Sequence, residues 1–150
     1  MTLAETNAEQ VIGAVHATIT GEKTLFSGLT NVHCILYFTT GRLVVEAGPS
    51  QRGDRQVPGW LEANPESLKS LKIQQIINSD PKKFSSIPYN SVTRVAIGRK
   101  WLNPRMSIIT SDKIHRFVWF WPKVGVDRVE HMARSYFPPQ VLVERVKSPA

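Results

Sequence analysis

The chain has 150 residues, 41% hydrophobic and 21% charged, the length and make-up of one globular domain; this excludes a disordered or fibrous chain. Nineteen Lys and Arg against twelve Asp and Glu give a formal charge of +7. That excess points to an anionic partner without saying whether it is nucleic acid, a membrane surface or an acidic protein. A single cysteine, Cys34, excludes an internal disulfide. The first ten residues hold Glu5 and Glu9 and no Lys or Arg, so a basic start followed by about 7–15 apolar residues, the mark of a secretory leader, is not expected. No run reaches the roughly 18–20 apolar residues of a membrane span. The expectation is a cytoplasmic protein, peripheral at the membrane if its charge acts there.

Val11–Thr20 is mostly β-branched or small and reads as a first strand, with a helix continuing from Ala8 as the alternative, and Glu22–Gly28 reads as a short extended piece. Val32–Phe38, the turn Thr39-Thr40-Gly41 and Arg42–Glu46 read as a β-hairpin, closed by Gly48-Pro49. Residues 48–64 are rich in turn formers and read as a loop. Asn64-Pro65-Glu66 supplies an N-cap, a proline at N1 and an acid in the first turn. Leu68, Leu71, Ile73, Ile76 and Ile77 then fall on one helical face, and Asn78-Ser79-Asp80-Pro81 stops it. Ile87-Pro88-Tyr89 leads into a strand at Val92–Ile97, closed by Gly98. Strands at Met106–Thr110 and Ile114–Trp121 flank the turn Ser111-Asp112-Lys113, and Pro122 breaks the second. Over Lys123–Phe137 the period becomes helical: Val126, Val129, Ala133, Tyr136 and Phe137 share a face. Pro138-Pro139 ends this helix and leaves a short basic tail. Short antiparallel strands followed by one amphipathic helix predict an α+β domain, a barrel or bent sheet with a helix over one open end.

The hairpin Leu36–Leu43, an apolar strand, a Thr-containing turn and then Arg-Leu, resembles the hairpin of the second and third strands in prokaryotic pleckstrin-homology-like (PH-like) domains. Ile87-Pro88-Tyr89 with Val92 and Val95 is similar to that family's strand entry, Met106–Thr110 with Arg116-Phe117-Val118 to its last hairpin, and Lys123–Phe137 to its capping helix. The likeness covers about residues 22–47 and 84–137 and extends to the related GRAM domains. It implies a bent antiparallel barrel of about seven strands capped by a C-terminal helix; the helical insert near 58–80 is where the chain departs from the family, being longer and more helical than the usual connection. The whole chain, 1–150, is then one PH-like domain: core about 11–47 and 84–137, insert about 48–83, basic tail 138–150. The resemblance implies a binding or oligomerisation module rather than an enzyme. Basic residues at the loop between the first two strands serve phosphoinositides in eukaryotic relatives, but Gly21–Asn31 offers only Lys23, so that activity is not carried over.

No phosphate-binding glycine loop or nucleophile motif occurs. His16, His33, His115 and His131 lack metal-ligand spacing, and no second cysteine completes a zinc site. No catalytic residue, metal or cofactor is expected, nor a small-molecule substrate. Cys34 falls in mid-strand and reads as a buried thiol.

The charge is uneven. Residues 1–75 carry six Lys and Arg against seven Asp and Glu, and residues 76–150 carry thirteen against five. Arg94, Arg99, Lys100 and Arg105 cluster without an acid around Gly98–Pro104, with Trp101 at its centre. Cations beside an aromatic suit an anionic membrane or nucleic acid, since the aromatic sits at headgroup level or stacks on a base. Lys113, Arg116 and Lys123 extend this patch if the next hairpin lies alongside. Phe117–Trp121 is apolar on both strand faces, so Phe117, Trp119 and Trp121 need cover from the insert helix, a second copy or a membrane. The expected partner is a second copy through Trp119 or Trp121, with anionic lipid through the 98–105 turn as the alternative, and nucleic acid after it.

Overall fold

β1 (Val11–Ile19), β2 (Val32–Thr39) and β3 (Arg42–Ala47) form an antiparallel meander, with Val15 opposite Leu36 and Leu36 opposite Val45. The computed structural model describes residues 9–20, 32–48 and 72–149. Thr39 builds the β2–β3 turn. Its hydroxyl oxygen accepts the backbone N–H of Gly41 (3.2 Å) and Arg42 (3.0 Å) and lies 2.6 Å from Glu9 Oε2. Arg42 Nε donates to the same carboxylate at 3.0 Å. Partial burial pushes the Glu9 carboxyl up, but the hydrogen bonds from Arg42 and Thr39 outweigh it and hold the group below its ordinary value.

Helix α1 (Ile73–Ser79) and a 3-10 turn at Pro81–Lys83 lead into β4 (Phe84–Pro88), which pairs with β3. A 3-10 turn at Tyr89–Ser91 then opens β5 (Val92–Lys100), β6 (Asn103–Thr110) and β7 (Ile114–Val118), a second antiparallel meander. The two meanders join where Thr18 and Ile19 of β1 pair with Val118 and Phe117 of β7. Helix α2 (Val126–Tyr136) follows, and β8 (Val143–Arg145) runs parallel to β5. The result is a sheet-rich α+β fold: one eight-stranded sheet, in the order β4-β3-β2-β1-β7-β6-β5-β8, and two helices among the described residues.

One face of nearly every strand converges on one core. Val15 and Ala17, Leu36 and Phe38, Leu43 and Val45, Ile87, Val95 and Ile97, Met106 and Ile108, and Phe117 all meet there. α2 closes over it with Val126, Val129, Met132 and Ala133. Gly13 lets α2 sit close: a Cβ there would fall 2.6 Å from the Tyr136 ring. A smaller cluster lies on the other face of β1–β3, where Ile73 of α1 packs with Val11, Ala14, Ile35, Tyr37 and Val44. β2 is therefore buried on both faces, which is why its sequence is apolar without alternation. Tyr89 ties the halves together by donating to the Thr39 carbonyl at 2.7 Å, and burial raises its phenol pKa.

Four expectations need correction. The strand expected over Ile114–Trp121 stops at Val118. The sheet has eight strands rather than about seven. The tail at 138–150 contains β8, held by Val95 N–H to the Leu142 carbonyl (2.7 Å) and Val146 N–H to the Ile97 carbonyl (2.8 Å). α2 spans Val126–Tyr136, shorter than the expected Lys123–Phe137, because Gly125 stands at its N-cap and the backbone is extended at Phe137. The extended piece at Glu22–Gly28, the loop from Pro49 to Asn64 and the helix start at Asn64-Pro65 lie outside the described residues. Within the range expected for that helix, α1 starts only at Ile73, because Lys72 before it is extended, and it covers the β1–β3 face rather than the aromatic segment.

Candidate functional site

β5 and β6 remain paired up to Lys100 opposite Asn103, so the hairpin turns on two residues, Trp101 and Leu102. Two-residue turns that match strand twist require positive φ, which favours Gly, Asn or Asp. Trp101 occupies such a position at φ 61°. Its side chain is 89% exposed and Leu102 is 55% exposed, so neither contributes to the core. Arg99 and Lys100 precede them and are also exposed.

The β7–α2 connection lies beside this tip. Trp119 turns inward after Val118, fully buried, and its indole N–H donates to the His16 carbonyl at 2.7 Å. Its backbone N–H donates to the Pro104 carbonyl at 3.0 Å. Phe120 and Trp121 are then left outside, 44% and 54% exposed. The backbone N–H of Trp121 donates to Asn103 Oδ1 at 3.1 Å, which ties this loop to the base of the tip. A hollow of about 250 Å³ lies along Phe120–Val124. Lys123 is exposed on the same loop. The sequence holds no acidic residue between Asp80 and Asp112, or between Asp112 and Asp127. This end of the molecule is thus apolar, aromatic and cationic.

A second basic feature lies on the outer face of the sheet, away from the core. Arg105 sits on β6 between Gly98 of β5 and Val118 of β7, and Arg116 is on the next rung opposite Ser107. Burial lowers the Arg105 pKa, and the nearby Arg116 charge lowers it further. Arg105 Nε is buried and has no hydrogen-bond acceptor among the described residues.

The expected anion-binding residues therefore separate. Arg99, Lys100 and Trp101 form the tip. Arg105 and Arg116 form the outer-face pair. Arg94 is neutralised by Glu144 at 3.3 Å, where it fastens β8, and so leaves the cluster. Lys113 lies in the β6–β7 turn, at the opposite end of β6 from the tip. Of the three residues expected to meet a partner, Phe117 and Trp119 are buried in the chain's own core, and Trp121 is open. Leu102 and Asn103 were not legible as site residues. Their signal is the register: pairing through Lys100 and Asn103 forces the residues between them outward.

Other polar clusters look inward or pair off. Tyr37 donates to Glu46 at 2.8 Å in the buried outer face of β2–β3. His16 and His33 stack, with Nδ1 and Nε2 2.8 Å apart. Burial pushes the Cys34 thiol up to about 12, far from a reactive thiolate. No group of three His, Cys, Asp or Glu side chains able to hold a metal occurs among the described residues. No helix among them is long and apolar enough to cross a membrane.

No protein-family profile matches the chain, and no curated protein matches it. The fold is similar to that of the hSac2 domain from human phosphoinositide phosphatase Sac2. The TM-score is 0.50, the match covers 95% of this chain and 80% of that one, and the identity is 12%. Likeness at that identity shows the fold alone.

Proposed function

We propose that the chain is a non-enzymatic binding module with a PH-like barrel, which docks on anionic membrane surfaces through Arg99–Leu102 and Phe120–Lys123. The observation that carries this is Trp101: a large aromatic, 89% exposed, at the point of a hairpin in a backbone conformation that does not favour it. Leu102, Phe120 and Trp121 widen the apolar surface around it. Arg99, Lys100 and Lys123 supply cations, each worth about 1 kcal/mol near an anionic leaflet. Trp and Tyr settle at the level of lipid headgroups, where one part of the ring is wet and the other is not. The PH-like reading is supported by the two antiparallel meanders joined through β1 and β7, followed by one helix over the core.

The test is co-sedimentation with phosphatidylcholine vesicles, with and without phosphatidylserine. The expected result is binding to the anionic vesicles only, weakened by salt. Equal recovery with both, or with neither, removes the proposal. A steep salt slope on single- or double-stranded oligonucleotides with no vesicle binding would instead favour nucleic acid. Self-association is the second reading, favoured by the hollow beside exposed Phe120 and Trp121. It predicts a dimer or larger species in light scattering without lipid, lost on Trp121→Ser.

A further inference from the structure

Where the chain leaves the sheet after Val118, it is pinned and then closed on itself. The Trp119 indole N–H holds the His16 carbonyl and its backbone N–H the Pro104 carbonyl. Trp121 N–H holds Asn103 Oδ1, and Val124 N–H returns to the Phe120 carbonyl at 3.2 Å. These bonds fix the loop Phe120–Val124 around the hollow of about 250 Å³ that it lines. Val124 is buried, while Phe120, Trp121 and Pro122 keep open faces. Lys123 is the one ionisable side chain on the lining, and no acid joins it there. The sequence has none between Asp112 and Asp127, and Asp127 is taken by Arg145 at 3.0 Å.

We propose that this hollow binds a fatty-acid anion, its alkyl chain against Phe120, Trp121, Pro122 and Val124 and its carboxylate at Lys123. The polarity sets the class of ligand. Pro122 has no N–H, and the N–H groups of Trp121 and Val124 are already used, so the loop offers little to a ligand with polar groups along its length. A hydrocarbon with one charged end leaves no polar atom unpaired. The charge sets the end: one lysine suits one negative charge, and its stem can lie along the apolar wall with the ammonium in water. The size sets the chain: at about 30 Å³ for a water-sized group, 250 Å³ takes about eight heavy atoms. The site shares its loop with the docking surface proposed above but goes beyond that reading, since it needs no bilayer.

The experiment titrates straight-chain carboxylates of four to twelve carbons, each kept monomeric, into the full chain without lipid. The Trp121 indole N–H is followed by NMR and assigned through its loss in Trp121→Ser. A saturable shift is expected, tightening about two- to fourfold per methylene up to about eight carbons and level beyond. Lys123→Gln should weaken octanoate about threefold, the scale of an exposed ion pair, and leave octanol unchanged. Trp121→Ser, read at the Val124 backbone N–H, should lose the dependence on chain length. No saturable shift with any chain overturns the site, as does affinity that climbs undiminished to twelve carbons or a response unchanged in Trp121→Ser. An equal loss for octanoate and octanol in Lys123→Gln overturns the placement of the carboxylate. A Trp121 shift that follows dilution of the protein and ignores octanoate gives the hollow to a second copy and overturns the proposal. Sedimentation with anionic vesicles on the same samples separates the two readings. Vesicle binding without an octanoate response leaves docking standing and removes the site, and an octanoate response without vesicle binding does the reverse.

Discussion

Replacing Trp101 by Asn separates folding from binding. An aromatic side chain offers roughly 150–250 Å² of surface, and 89% of Trp101 is exposed. Transfer of about 180 Å² out of water is worth about 4–5 kcal/mol. A ring at headgroup depth leaves water only by half, which gives about 2 kcal/mol, or about 30-fold in affinity. The backbone works the other way. A left-handed conformation costs an ordinary residue about 1 kcal/mol, and Asn tolerates it through local hydrogen bonding. The substitution removes almost no packing, so stability should rise by about 1 kcal/mol, or about 2–4 °C in Tm for a chain of this length. Anionic-vesicle partitioning and thermal unfolding measured on the same preparations check both halves. A drop in Tm would mean that Trp101 packs against the fold, and an unchanged vesicle affinity would mean that the tip does not meet the bilayer. Either result refutes the reasoning.

Neutralising Arg99 and Lys100 together with Gln should weaken binding to anionic vesicles by about 30-fold at low salt, and the gap between variant and wild type should close as salt rises. Trp119→Phe leaves the His16 carbonyl without its 2.7 Å partner in the core and should cost about 1–3 kcal/mol by denaturant unfolding. Gly13→Ala places a Cβ against the Tyr136 ring and should cost about 1–3 kcal/mol. Tyr136→Ala in the same chain should recover part of that loss, whereas simple addition of the two costs would show that the ring and the strand do not touch. The Glu9 carboxyl is held below its ordinary value, so its contribution to stability is fully present above the unfolded pKa of about 4.3 and is lost as pH falls through the lower folded value. Glu9→Gln should flatten that part of the acid-unfolding curve.

The hairpin Val32–Glu46 and the final helix were legible because their periods are strong and their turn residues specific: Thr39 and Gly41 in one, Pro138 after the other. β8 was not legible. Val143-Glu144-Arg145 is too short for a period, and it becomes a strand only because β5 offers an open edge and Arg94 is there to hold Glu144. The aromatic run misled for a related reason. Its lack of alternation reads as a strand with two dry faces, but the chain leaves the sheet at Val118, buries Trp119 through the His16 carbonyl and releases Phe120 and Trp121 to solvent. The basic cluster was legible as composition but not as geometry. Strand parity, which sequence leaves open until the turn is fixed, places Lys100 and Arg105 on the outer face and Arg99 on the other row.

Depth measurement at the tip tests docking most directly. Cys34 is buried with its thiol pushed up to about 12, so a cysteine introduced elsewhere can be labelled selectively. Nitroxide labels at Leu102→Cys and, on the turn at the opposite end of β6, at Asp112→Cys report depth through their relative accessibility to oxygen and to a water-soluble nickel complex on anionic vesicles. Membrane docking through the β5–β6 tip predicts that the label at 102 lies at the boundary of headgroup and acyl chain while the label at 112 stays in water. Binding to the vesicles with both labels fully aqueous, or with the label at 112 the deeper one, would contradict it.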